Sequence, residues 1–257
     1  MPPLIAVLTD FGSRDPYVGI MKGVMAGIAP DATVIDISHG VPPQDLVVGA
    51  LWLDGAVDWF PPHTVFLVVV DPGVGSARRV VASELGSQRF VCPDNGLLTA
   101  LLQRRQGRAV VASDPRFHLP GVSHTFHGRD IMAPVAAHLA AGLPLEQLGP
   151  PAGDLKLLDL PRARRTLDLV VGEVVYLDHF GNLITSIPAS DLEPGMTVEL
   201  GGQRLPLVRT YADVEPGEPL ALVGSTGRLE ISVRDGSAAE CLDCGVGDAV
   251  IVVEAHA

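Results

Sequence analysis

The chain has 257 residues, 47% of them hydrophobic, and carries 30 acidic against 18 basic side chains for a net charge of −12. That length can bury a sizeable core, in one large domain or two unequal ones, while the surplus of negative charge repels phosphate backbones and anionic lipid, so nucleic acid and membrane are poor partners. No apolar run reaches the roughly 18 to 20 residues of a membrane helix, and the amino terminus enters a strand without a basic preamble, so a cytoplasmic protein is expected.

Residues 4–8 (LIAVL) form a short apolar run that ends in Thr9, Asp10, Phe11 and Gly12. A carboxylate where a strand runs out either caps the following helix or grips a ribose diol, since two adjacent hydroxyls suit its two acceptor oxygens. Apolar residues recur at helical spacing over 17–28, residues 33–37 (TVIDI) read as the next strand, and the VPPQD turn at 41–45 opens a helix from Leu46 toward Phe60. Strand and helix alternate, which predicts a parallel α/β sheet.

The most informative stretch is 65–81, VFLVVVDPGVGSARRVV. Its apolar run lacks polar alternation and is too short for a helix, so it predicts a strand buried on both faces. Asp71 stands at the carboxyl end, where open parallel sheets bind ligands, and Pro72, Gly73 and Gly75 allow a tight turn close to a ligand. Arg78 and Arg79 follow at once, and a surface Asp–Arg pair is the plainer alternative. Beyond it come a strand at 89–92, the PDNG turn at 93–96, a helix at 97–103 and a strand at 109–112. The segment 123–142 turns into an amphipathic helix from Arg129, which leaves His127 in the loop just ahead. His124 and His127 lack a third ligand, so no metal is expected there.

Prolines, glycines and charges without periodicity fill 144–167, placing a domain boundary near residue 160. The expected division is an α/β domain over 1–160 and an all-β barrel or sandwich over 161–257, whose last run is DAVIVVE at 248–254. Two of its turns, DHFGN at 178–182 and GSTGRLE at 224–230, carry more polar groups than turning requires. An Asn amide matches an adenine edge and Ser with backbone N–H groups suits a carboxylate, although turn formation alone also accounts for both. P-loop spacing and GxGxxG do not occur, so dinucleotide binding has no support. Cys92, Cys241 and Cys244 are too few for a disulfide framework, and the CLDC pair lacks the partners of a zinc site.

Taken together, TDFG at 9–12, DPGVGSARR at 71–79, PDNGLLT at 93–99, TFHGRDIMAPVAA at 125–137, DHFGN at 178–182 and GSTGRLEI at 224–231 resemble the S-adenosyl-L-methionine (SAM) hydroxide adenosyltransferases. These SAM hydrolases form adenosine and are related to the fluorinases and chlorinases. The resemblance runs over nearly the full length and implies an amino-terminal α/β domain, a carboxyl-terminal β-barrel, and a homotrimer with active sites between neighbouring subunits. It implies water-driven cleavage of SAM into adenosine and methionine, without a cofactor. The family's catalytic triad falls on Asp71, Arg78 and His127 and its ribose-binding carboxylate on Asp10. Barrel contacts fall on Asp178, Asn182, Ser225 and Glu230 with the backbone near Val233. Phe180 and Tyr211 are the candidates for stacking on adenine, and Tyr17 for bordering the methionine end. Gln44 stands where the family usually has an aromatic, so a differently closed adenine pocket is expected.

A sulfonium leaves as a neutral thioether and needs no general acid, so catalysis must position water behind the 5′ carbon and take its proton. His127 or Asp71 is expected to accept it, with Arg78 holding Asp71. The related halogenases lack this set, and Gly128 stands where their halide-binding serine is expected, which favours water over chloride. A non-catalytic SAM or adenosine sensor is the alternative of another class; it would keep Asp10 and Asn182 but have no use for the triad.

Overall fold

The computed structural model describes residues 2–166, 169–193 and 195–253, which fall into two compact units, Met1–Leu160 and Pro161–Ala257. The first unit runs β1 (Leu4–Thr9), α1 (Tyr17–Ile28), β2 (Thr33–Ser38), α2 (Leu46–Val57), β3 (Val65–Val69), β4 (Val80–Leu85), β5 (Gln88–Pro93), α3 (Thr99–Leu102), β6 (Gly107–Val111) and α4 (Ala133–Ala140). Its sheet has the order β2-β1-β3-β5-β4-β6. The pairs β1–β2, β1–β3 and β3–β5 are parallel, and β4 is antiparallel to both neighbours. As the unbroken apolar run of β3 predicts, all five of its residues are buried. On one face Met21 and Met25 of α1 and Val135 and Leu139 of α4 pack with Val7, Leu67 and Val69.

Three features of this unit depart from expectation. Strand β4 is not evident in the sequence, because the glycine loop before it masks the return of a buried run, yet it pairs along its length with β5 and β6. The helix expected from Arg129 opens as a π-helical turn, Gly128–Met132, before α4. Pro134 has no N–H to offer the Asp130 carbonyl, which instead accepts from the Leu119 amide at 2.8 Å. Helix α4 is also less amphipathic than its sequence suggests, with Ala133, Val135, Ala136, Ala137 and Leu139 all buried.

The second unit is antiparallel: β7 (Arg164–Arg165), β8 (Leu169–Leu177), β9 (Leu183–Pro188), β10 (Thr197–Leu200), β11 (Gln203–Pro206), β12 (Pro219–Val223), β13 (Arg228–Val233), α5 (Ala238–Leu242) and β14 (Ala249–Val253). Strands follow the order β11-β10-β14-β8-β9-β13-β12, and a bridge between Leu207 and Ala221 brings the two ends together into a barrel. Val174, Leu183, Ile187, Val198, Leu229, Ile231 and Val250 fill its interior. The all-β expectation misses α5, which Ser237 caps through the Glu240 amide and which ends at Asp243 in the left-handed region. Glu254, expected to finish the last strand, lies outside the described residues.

Candidate active site

Strands β1 and β3 run parallel with Thr9 opposite Val69, so Asp10 and Asp71 emerge side by side at the carboxyl ends of neighbouring strands. After β3 the chain folds into a compact loop. The Val74 amide bonds back to the Asp71 carbonyl at 3.2 Å, and the Ser76 hydroxyl donates to the Gly73 carbonyl at 2.7 Å while accepting the Arg78 amide at 3.2 Å. Gly75 has φ +77°, and a Cβ there would lie 2.6 Å from the His124 carbonyl oxygen. Only glycine lets this loop approach the 123–127 segment so closely.

That approach completes a three-way contact. Arg78 donates from Nε to Asp71 Oδ1 at 2.9 Å, from Nη2 to Oδ2 at 2.5 Å, and from the same Nη2 to His127 Nδ1 at 2.8 Å. The side chains of Asp71 and Arg78 are each only 6% exposed, which places a fork-shaped ion pair out of water. A guanidinium cannot accept, so His127 Nδ1 offers its lone pair and the neutral ring carries its proton on Nε2. Burial, then the Arg78 charge, pushes the His127 pKa down; the carboxylates of Asp71 and Asp130 and a hydrogen bond to the Ser123 backbone oppose this. The buried Asp130 carboxylate braces the loop by accepting the Ser123 amide at 2.8 Å and Arg129 Nε at 2.6 Å, and the Ser123 hydroxyl takes the Phe126 amide at 3.0 Å.

A cavity of about 380 Å³ opens beside this contact, lined by Asp10, Tyr17, Asp71 and His127 together with Phe11, Gln44, Phe126 and Gly128. Phe11 and Phe126 have no role assigned from the sequence, although both stand inside the TDFG and TFHG motifs. Their rings and that of Tyr17 meet pairwise, with centroids 5.3 to 5.9 Å apart. Gln44 contributes backbone: with φ +66° its N–H reaches Asp10 Oδ2 at 2.9 Å.

The second unit carries the remaining candidates in clusters of its own. Asp178 Oδ1 accepts the amides of Phe180 and Asn182, at 2.9 and 3.0 Å, and Oδ2 takes the Asn182 side-chain amide at 2.9 Å. Both side chains thus shape the turn between β8 and β9. Tyr211 and Ser232 donate to Oε1 of buried Glu230, at 2.5 and 2.9 Å. Burial and that bond push the Tyr211 phenol up to about 12, with the Asp178 charge adding to it. Phe180 is 73% exposed beside His179, Ser225 is exposed, and the Val233 side chain is buried in the barrel. Among the described residues no group of three or more His, Cys, Asp or Glu could hold a metal ion.

The family model of the SAM hydroxide adenosyltransferase N-terminal domain matches residues 5–149, and that of the C-terminal domain matches residues 172–251. The chain belongs to the SAM hydroxide adenosyltransferase family. A relative from Thermus thermophilus, named (R)-S-adenosyl-L-methionine hydrolase, is 47% identical over 243 residues, covering 91% of this chain and 93% of that protein. A fluorinase from Actinoplanes is 30% identical over 90% of each chain. The crystal structure of an uncharacterized conserved protein from Thermotoga maritima superposes with a TM-score of 0.92 at 37% identity, over 97% of this chain and all of that one. The two family models follow one another along the chain, the N-terminal domain first.

Proposed function

We propose that this chain hydrolyses S-adenosyl-L-methionine to adenosine and L-methionine by in-line attack of water on the 5′ carbon. The name of the Thermus thermophilus relative specifies the R configuration, which we take for the sulfonium centre of the substrate here. The observation that carries the reading is the buried Asp71–Arg78–His127 contact at the edge of a cavity shared with Asp10. Asp10 grips the ribose diol, which sets the 5′ carbon toward Asp71. Water attacks that carbon, the carbon–sulfur bond breaks with its electron pair passing to sulfur, and one proton leaves the water.

Asp71 is the proton acceptor in this reading, because Oδ1 takes a single bond from Arg78 and keeps a lone pair, whereas His127 Nδ1 is already engaged. His127 orients Arg78 and closes the water site. Such acid–base help is worth about a hundredfold to ten-thousandfold. Phe180 and Tyr211 supply adenine stacking, Tyr17 borders the methionine end, and Asp178, Asn182, Ser225, Glu230 and the Val233 backbone supply the barrel's contacts. The units 1–160 and 161–257 divide these tasks, and the assembly is a homotrimer in which neighbours complete each site. Three free cysteines suit a cytoplasmic setting.

A halogenase is the second reading, through the fluorinase likeness. Against it, a Cβ on Gly128 would lie 3.3 to 3.4 Å from Val69 Cγ1, Met21 Sδ and Phe126 Cε2, leaving little room for a serine. The test is chromatographic. Incubated with the two sulfonium epimers in chloride buffer, the protein releases adenosine and methionine from the R form, and Asp71→Ala lowers that rate by about a hundredfold or more. Appearance of 5′-chloro-5′-deoxyadenosine would establish the halogenase, and tight binding without product would establish a sensor.

A further inference from the structure

One chain of polar contacts in the first unit has no part in the chemistry of the triad. Thr9, the last residue of β1, is fully buried, and its Oγ1 accepts the Phe11 amide at 3.2 Å while lying 2.9 Å from His39 Nδ1. The His39 carbonyl takes the Gly12 amide at 2.7 Å. On the other side of the ring, Nε2 lies 3.1 Å from Asp36 Oδ1, too bent for a good hydrogen bond, and Asp36 Oδ2 meets Lys22 Nζ at 2.6 Å. Donors and acceptors follow one direction. The Asp36 carboxylate facing Nε2 can only accept, so the neutral ring carries its proton on Nε2, and Nδ1 accepts the one proton of the Thr9 hydroxyl.

We infer that His39 is a positioning residue for ribose recognition, fixing the Asp10–Gly12 loop through Thr9 so that Asp10 presents its carboxylate to the sugar. The loop is held on three sides: Asp10 Oδ2 by the Gln44 amide, the Phe11 amide by the Thr9 hydroxyl, and the Gly12 amide by the His39 carbonyl. Asp10 Oδ2 is thereby anchored through one lone pair, and the carboxylate keeps acceptor capacity on both oxygens for the diol. Without the His39 ring, the buried Thr9 hydroxyl loses its acceptor and turns away from the Phe11 amide, and the restraint at the centre of the loop weakens. This inference rests on the proposed role of Asp10, and the experiment separates the two.

Calorimetric binding of adenosine and of 2′,3′-dideoxyadenosine reads the grip on the diol directly. The wild-type protein prefers adenosine by on the order of 10- to 100-fold, the range for hydrogen bonds to a charged group. In His39→Ala that preference shrinks severalfold while the affinity for the dideoxy analogue stays the same; in His39→Asn, whose amide oxygen can accept from Thr9, part of the preference returns. Asp36→Asn, at the partly exposed end of the chain of contacts, folds regardless of the fate of His39→Ala and shows a smaller loss of the same kind. Equal weakening of both ligands in His39→Ala, or an unchanged preference in His39→Ala or Asp36→Asn, overturns the inference. A wild-type protein indifferent to the diol overturns the ribose role of Asp10 and the inference with it, whereas loss of preference in Asp10→Ala alone keeps the former and rejects the latter.

Discussion

At the scale of single residues, the protonation state of His127 decides whether the triad can stay assembled. Arg78 donates into Nδ1, so a second ring proton would stand against a guanidinium and break the contact that orients Asp71. Burial and Arg78 hold the His127 pKa below the ordinary 6.5, which favours the neutral ring that can accept from Arg78. Its contribution to stability has the matching sign: the unfolded chain binds the proton more readily, so the contribution is complete above pH 6.5 and is lost as the pH falls from there through the depressed folded value. The acid limb of kcat/KM is therefore expected below pH 6.5. In His127→Gln, whose amide oxygen can still accept from Arg78, activity is reduced and that limb disappears. A wild-type limb at or above 6.5, or the same limb in the Gln variant, would remove His127 from the proposed triad.

At the scale of elements, what is legible in the sequence is local and periodic. The expected helix 17–28 coincides with α1, and the strands ending at Asp10 and Asp71 stand where unbroken apolar runs put them. That Asp71, Arg78 and His127 meet is foreshadowed by carboxylates at the ends of parallel strands and by a histidine just ahead of a helix. What stays hidden depends on partners distant in sequence. Strand β4 is held by ladders to β5 and β6 on its two edges, the π-helical turn exists because the Leu119 amide takes a carbonyl that Pro134 cannot use, and the His39–Thr9 link joins two strand ends. Gln44 reads in sequence as a missing aromatic, whereas its contribution is a backbone N–H that a side-chain comparison cannot see. Gly75 gives this scale its prediction. Ala at a left-handed position costs about 1–2 kcal/mol wherever it occurs, and Gly86, at φ +61° with no atom within 4 Å of where a Cβ would stand, isolates that cost. Gly75→Ala adds a collision with the His124 carbonyl and pushes the His127 loop off Arg78. Urea melts are expected to show Gly75→Ala less stable than Gly86→Ala, with a loss of kcat confined to Gly75→Ala; equal kcat in the two variants would show that the loop contact does not assemble the triad.

At the scale of the whole molecule, the proposed function gives the water-activating residues to the first unit and the adenine contacts to the second. The first gathers charge around a dry ion pair beside a cavity walled by aromatic rings, whereas the second leaves apolar side chains in water at its turns: Leu177 is 38% exposed, Phe180 73%, Tyr211 43% and Val223 46%. If each site draws its triad from one subunit and its adenine contacts from a neighbour, two inactive variants can repair each other. Asp71→Ala disables the first unit alone. Phe180→Asp alters an exposed side chain of the second and leaves its barrel intact. In an equimolar mixture allowed to exchange subunits, about a quarter of the sites then combine an intact first unit with an intact second one, the outcome of independent choice at a heterologous interface. Activity is expected to rise to about that share of wild type, in a species whose mass by light scattering is that of a trimer. Sites built within single chains cannot be repaired by exchange, so a mixture of verified exchanging subunits that stays inactive would place both halves of the site on one chain.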